Sequence, residues 1–120
     1  MKKIAFSTTG NDLSAELDPR FGRARQFLVY DVEAQTVDII ENKQNRSAAQ
    51  GAGIQSAEAM IRAGVDTLIT GHCGPKAFQV LEAAGIKVYN CSAATVQEAL
   101  EMVQNGYLNP ATAADKSEHW

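Results

Sequence analysis

GVDTLITGHCGPKAF, residues Gly64 to Phe78, decides the fold. Its core, Asp66 to Thr70 (DTLIT), is short and apolar and predicts a buried strand. Gly64 stands where a preceding helix would end, because glycine tolerates the left-handed turn at a helix C-terminus. Pro75 stands where the next helix would begin, because its missing N–H costs nothing in a first turn. A helix, a buried strand and another helix in close succession read as part of a βαβ crossover, and so of a parallel sheet.

Working outward, Gln50 to Arg62 carries Ile54, Ala57 and Ile61 at helical spacing. Gly74 to Ala84 is a second helix, with Ala77, Phe78, Leu81 and Ala84 as its apolar face and Gly85 at its end. Ile86 to Tyr89 is the last strand. Thr95-Val96-Gln97-Glu98 has capping-box spacing, and Val96, Leu100 and Val103 give the third helix its stripe before Gly106 ends it. Toward the N-terminus, Lys3 to Ser7 is a strand and Thr8 to Phe21 a long loop rich in Gly, Asn, Asp and Pro. Gln26 to Val32 and Thr36 to Glu41 pair as an antiparallel hairpin across Glu33 to Gln35. The order β-β-β-α-β-α-β-α gives an α/β fold with one mixed five-stranded sheet and helices on its faces. Residues 1–106 form the domain, and residues 107–120, which include NPATAADKSEHW, form a loose C-terminal tail.

The chain has 120 residues, enough for one core without disulfides. A formal net charge of −3 argues against a general nucleic-acid binder. No apolar run approaches the ~20 residues of a membrane span. Met1-Lys2-Lys3 leads directly into a short strand, so no signal peptide is expected and the cytoplasm is the expected compartment. Cys73 and Cys91 form no C-x-x-C pair, and both are expected as thiols.

In such a sheet, ligands bind beyond the carboxyl ends of the parallel strands. Three polar loops reach that edge: Thr8-Thr9-Gly10-Asn11-Asp12, Ala49-Gln50-Gly51-Ala52-Gly53, and Gly71-His72-Cys73-Gly74-Pro75. The last two lead into helix N-termini, whose N–H groups and dipole favour an anion. Arg20 and Arg23 can bring two guanidinium groups over the same edge, and Lys76 adds a cation in a first turn. Taken singly, these residues are ordinary: solvated charges, tight-turn glycines, a hydrogen-bonded histidine, a small inert cysteine. A closed zinc site fits poorly, because no His/Cys pair has ligand spacing. A hydrolytic dyad fits poorly because His72 and Cys73 are adjacent and adjacent side chains diverge.

Four separated runs, DPRFGRARQFLVYD (Asp18 to Asp31), QGAG (Gln50 to Gly53), GVDTLITGHCGPKAF and AGIKVY (Ala84 to Tyr89), resemble the dinitrogenase iron–molybdenum cofactor biosynthesis family. That family includes NifX- and NafY-type carriers and the C-terminal domain of NifB. The resemblance spans about Lys3 to Gly106 and implies a ribonuclease-H-like three-layer fold. Within the family, IAFSTTGNDLSAELDPRFGRARQFLVYD (Ile4 to Asp31) and TGHCGPKAF (Thr70 to Phe78) are most like the orange-protein branch. The resemblance then implies noncovalent carriage of a sulfide-bridged molybdenum–copper cluster, without turnover, and ATPase or cell-division-linked protein partners. Thiolate suits Cu(I), so Cys73 is a candidate direct ligand. Cys91, after the last parallel strand, is expected on the same rim. The competing readings are a small-molecule or nucleotide-phosphate binding regulatory domain using the same cradle, and an enzyme with Cys73 as nucleophile.

Overall fold

The structure, a computed structural model, describes residues 1–42 and 52–113. Five strands and three helices follow the expected order: β1 (Lys3–Thr8), β2 (Gln26–Asp31), β3 (Thr36–Glu41), α1 (Ala52–Arg62), β4 (Thr67–Thr70), α2 (Pro75–Ala83), β5 (Lys87–Asn90) and α3 (Val96–Gln104). The sheet order is β3-β2-β1-β4-β5. β1 pairs antiparallel with β2 and parallel with β4; β2–β3 is antiparallel and β4–β5 parallel. The central strand β1 is buried from Ile4 to Thr8 because helices cover both faces.

Alternation divides each strand between two cores. Ala5, Phe27, Val29, Leu68 and Val88 face α1 and α2, while Ile4, Phe6, Leu28, Ile69 and Tyr89 face α3. Each fully buried Phe, Leu or Ile contributes about 1.5–3 kcal/mol of burial. The punctuation is where the residue types place it. Gly64, Gly85 and Gly106 close the helices with φ of +76°, +79° and +75°. Thr95 caps α3, its hydroxyl accepting from the Glu98 N–H at 3.2 Å.

Three expectations change. The buried face of α1 is Ala52, Ser56, Ala57 and Met60, whereas Ile61 is 43% exposed. Small side chains let α1 lie close to α2, and Ser56 is buried because its hydroxyl donates to Asn42 Oδ1 at 3.0 Å. Ala84 is exposed, at the C-cap of α2 rather than on its apolar face. The segment after Gly106 is tied down as far as Ala111: the Tyr107 N–H donates to Met102 O (2.9 Å) and the Ala111 N–H to Val88 O (2.7 Å). Residues 114–120 lie outside the described residues.

Candidate functional site

β1, β4 and β5 run parallel, and β3 runs with them, so α1, α2 and α3 all begin at one edge of the sheet. A strap, Asp18 to Gly22, crosses that edge. Its first residue is sewn to β1: the Asp18 N–H donates to Ser7 O at 2.7 Å, and Ser7 Oγ donates to Asp18 O at 2.6 Å. Ser7 Oγ also lies 2.8 Å from Thr70 Oγ1, which ties the same point to β4. The strap then pairs with the loop after β4. The His72 N–H donates to Pro19 O (2.7 Å) and the Phe21 N–H to His72 O (3.2 Å), making a parallel bridge between Arg20 and His72.

Glycine is required where this strap touches its neighbours. A Cβ on Gly71 would sit 2.6 Å from Pro19 Cα and 2.7 Å from Pro19 O. A Cβ on Gly22 would sit 2.9 Å from both Gly53 Cα and Gly53 N, at the start of α1. Gly53 in turn lies against Ala77 of α2, where a Cβ would come within 3.1 Å of the Ala77 Cβ. Strap and α1 start therefore meet backbone to backbone, and α1 meets α2 across the small Ala77 side chain. Asn42 locks the far side, donating to Gly22 O (3.2 Å) and Ala24 O (2.9 Å), and Asn90 donates to Gly71 O at 3.1 Å.

This assembly gathers Arg20, Gly53, Gly71, His72, Gly74 and Lys76. Arg20 is half exposed, with Nε 3.8 Å from Asp18 Oδ1. An ion pair of that length and exposure contributes little to stability. Arg23 is half-buried just beyond the strap, and Lys76 is exposed in the first turn of α2. Gly74 is the N-cap of α2 and makes no side-chain cap hydrogen bond. The start of α3 differs: its first N–H groups are spent on Ala15 O (from Val96, 2.9 Å), Leu13 O (from Gln97, 2.8 Å) and Thr95 Oγ1.

Thr9, Gly10 and Asn11 belong to another branch of the edge. Gln26 Nε2 donates to Gly10 O and to Asn11 Oδ1 (2.6 Å), and Leu13, Ala15 and Leu17 carry this loop onto the α3 face. Gln50 and Gly51 lie outside the described residues. Cys73 is 1% exposed and sits in the apolar cluster with Phe21, Ala77 and Phe78. The expectation that Cys91 shares its rim is corrected: Cys91 is in the other core, across the sheet, with Sγ accepting from the Ala93 N–H at 3.4 Å. Among the described residues, no three His, Cys, Asp or Glu side chains are grouped to hold a metal ion.

Reading the sequence alone missed the residues beneath the site. Ser7, Asp18, Asn42 and Thr70 are buried polar side chains that anchor the strap. Their signal was a polar residue at the end of an apolar strand, where side-chain hydrogen bonds replace the ladder. Arg25, exposed two residues beyond Arg23, was also missed as a further cation on this segment.

The chain belongs to the dinitrogenase iron–molybdenum cofactor family, whose profile matches residues 2–106. Among solved structures it is similar to the apo form of the orange protein from Desulfovibrio gigas, at 38% identity over 97% of this chain and 98% of that one, with a TM-score of 0.93. A candidate NifB protein from Thermotoga is 36% identical over 97% and 98% of the two chains, with a TM-score of 0.84. The uncharacterized protein MJ0580 of Methanocaldococcus jannaschii is 32% identical over 111 residues, 90% of each chain.

Proposed function

We propose that this protein holds a preformed, anionic metal–sulfur cluster, without covalent attachment, over the strap edge, and carries it without chemical turnover. The observation that supports this most directly is the Arg20–His72 bridge beside the N-terminus of α2, which has Lys76 in its first turn and no side-chain cap. Backbone N–H groups, a guanidinium and an ammonium suit the sulfide and oxide shell of such a cargo. Membership of a family named for a metal–sulfur cofactor supports the same reading.

The donor set fits an anion better than a bare metal ion. Arg20, Arg23, His72 and Lys76 supply charge and hydrogen bonds, and Gly53, Gly71 and Gly74 allow close approach. Cys73, 1% exposed, meets the cargo only if the strap shifts, so the cluster brings its own sulfides. Thr9, Gly10, Asn11, Gln50 and Gly51 complete the rim in this proposal. The finer assignment, a molybdenum–copper sulfide cluster, rests on the likeness to the orange-protein branch.

The test is anaerobic reconstitution with a Cu(I) salt and tetrathiomolybdate, followed by desalting, visible spectroscopy and metal analysis. The expected product is a coloured protein with molybdenum and copper in fixed ratio to chain. A folded, colourless product would overturn the proposal, and if that product binds ATP the nucleotide-phosphate reading takes its place.

A further inference from the structure

The two edges of the sheet are treated differently. At β5 the chain covers its own edge, through the Ala111 N–H bonded to Val88 O. At β3 no described residue pairs with the outer side of the strand. All of β3 is exposed except Ile40, which is half-buried. Register places Val37 and Ile39 opposite Tyr30 and Leu28, on the α3 face. A single helix covers that face, and it leaves Val37 and Ile39 each 37% exposed. Edge strands usually carry a lysine, a proline or a bulge that blocks pairing. β3, TVDIIE, has neither lysine nor proline.

Charge says what would pair there. From Gln26 to Asn42 the hairpin carries Asp31, Glu33, Asp38 and Glu41 and no lysine or arginine. A second copy of this edge would bring acid against acid, which destabilises cross-strand pairing. A basic strand meets no such penalty. We propose that the outer edge of β3 is a docking strand for an extended basic segment of a partner protein, alternating apolar and Lys/Arg residues. Added to the sheet, its apolar side chains lie beside Val37 and Ile39, and its cations lie on the other face beside Asp38. Main-chain hydrogen bonds supply affinity, and the alternation supplies register. This surface is independent of the cluster reading.

The test uses the isotope-labelled full chain and a synthetic peptide, acetyl-(Val-Lys)3-amide, followed by NMR. Shift changes and slowed amide exchange are expected at residues 36–41, with affinity falling about tenfold between 50 and 500 mM salt. The Val37→Lys/Ile39→Lys variant should lose the response while keeping the far-UV spectrum of the parent. If that variant unfolds, Asp38→Lys, exposed and outside both cores, should weaken the peptide about fivefold or more. The proposal is overturned if residues 36–41 do not respond to millimolar peptide. It is also overturned if acetyl-(Val-Glu)3-amide gives the same response, or if sedimentation shows β3 already occupied by a second copy.

Discussion

Replacing Gly71 by alanine is expected to unseat the strap. The new Cβ would lie 2.6 Å from Pro19 Cα, 2.7 Å from Pro19 O and 2.9 Å from Pro19 Cβ. Carbon atoms rest about 3.5 Å apart or more, so the strap must retreat by about 1 Å. Two of the three atoms met are backbone, so no side-chain rotation relieves the clash. The His72 N–H to Pro19 O bond, 2.7 Å in the parent, would then stretch past hydrogen-bonding range. Losing it and the Phe21 N–H bond to His72 O costs about 1 kcal/mol each, and the overpacking adds about 1–3 kcal/mol. A total of about 3–5 kcal/mol is a large part of the ~5–15 kcal/mol that holds a domain of this size. Urea titration followed by circular dichroism measures it, and the melting temperature should fall by about 15 °C. Gly85→Ala is the control. Nothing lies within 4 Å of its Cβ position, so its cost comes only from φ of +79°, about 1 kcal/mol. If Gly71→Ala costs no more than Gly85→Ala, close approach of Pro19 does not constrain residue 71, and the strap is not held as argued.

Three further outcomes are expected. Burial alone would raise the Asp66 carboxyl, but the Lys2 N–H (2.7 Å), the Thr67 hydroxyl, the Lys3 N–H (3.3 Å) and the N-terminal ammonium outweigh it and hold the group below the ordinary carboxylate value. Its stabilisation is thus present above the unfolded value of ~4 and lost as pH falls through the lower folded value, so Asp66→Asn should cost about 1 kcal/mol at pH 7 and much less at pH 3, read as urea midpoints. Gln at Arg20, Arg23 and Lys76 together should weaken retention of the reconstituted cluster on desalting, and the parent itself should lose cluster as salt rises; unchanged retention would make these ordinary surface charges. Cys73→Ala should cost about 1–2 kcal/mol for the lost buried sulfur yet still take up colour, whereas a folded but colourless variant would mean direct sulfur ligation.

The succession of elements was legible because hydrophobic period and punctuation agree at each step. Gly64, Pro75, Gly85, Thr95 and Gly106 all do what their chemistry predicts. The face of α1 was not legible, because Ile54 and Ile61 look like the better apolar stripe. What decides it is close packing against α2, which selects Ala52, Ala57 and the hydrogen-bonded Ser56. Gly71, His72 and Lys76 drew attention as a motif, yet the reason Gly71 must be glycine lies at Pro19, 52 positions earlier in the chain. The same holds for Gly22, whose constraint is Gly53. Local reading finds turns and caps, but it cannot see which distant backbone will touch them.

The placement of sulfur bears on how a cluster would be held. Cys73 is packed among Phe21, Ala77 and Phe78 on the α1–α2 side, and Cys91 is packed among Val96, Ala99 and Leu100 on the α3 side. The sheet lies between them, so the two thiols cannot close on one metal ion without the fold coming apart. At the edge itself stand main-chain N–H groups, Arg20, His72 and Lys76, none of which is a strong ligand for a soft metal except the imidazole. If the proposed function holds, a site of this composition would discriminate by charge, shape and hydrogen bonding, and so would favour an assembled anionic cluster over its free metal ions. Under the proposed function, a cluster held this way would leave without breaking a protein–metal bond. Rigidity then matters more than ligation. The close backbone contacts at Gly22, Gly53 and Gly71 and the buried anchors Ser7, Thr70 and Asn42 give this edge a fixed shape, as a cradle needs if no covalent bond holds what it carries.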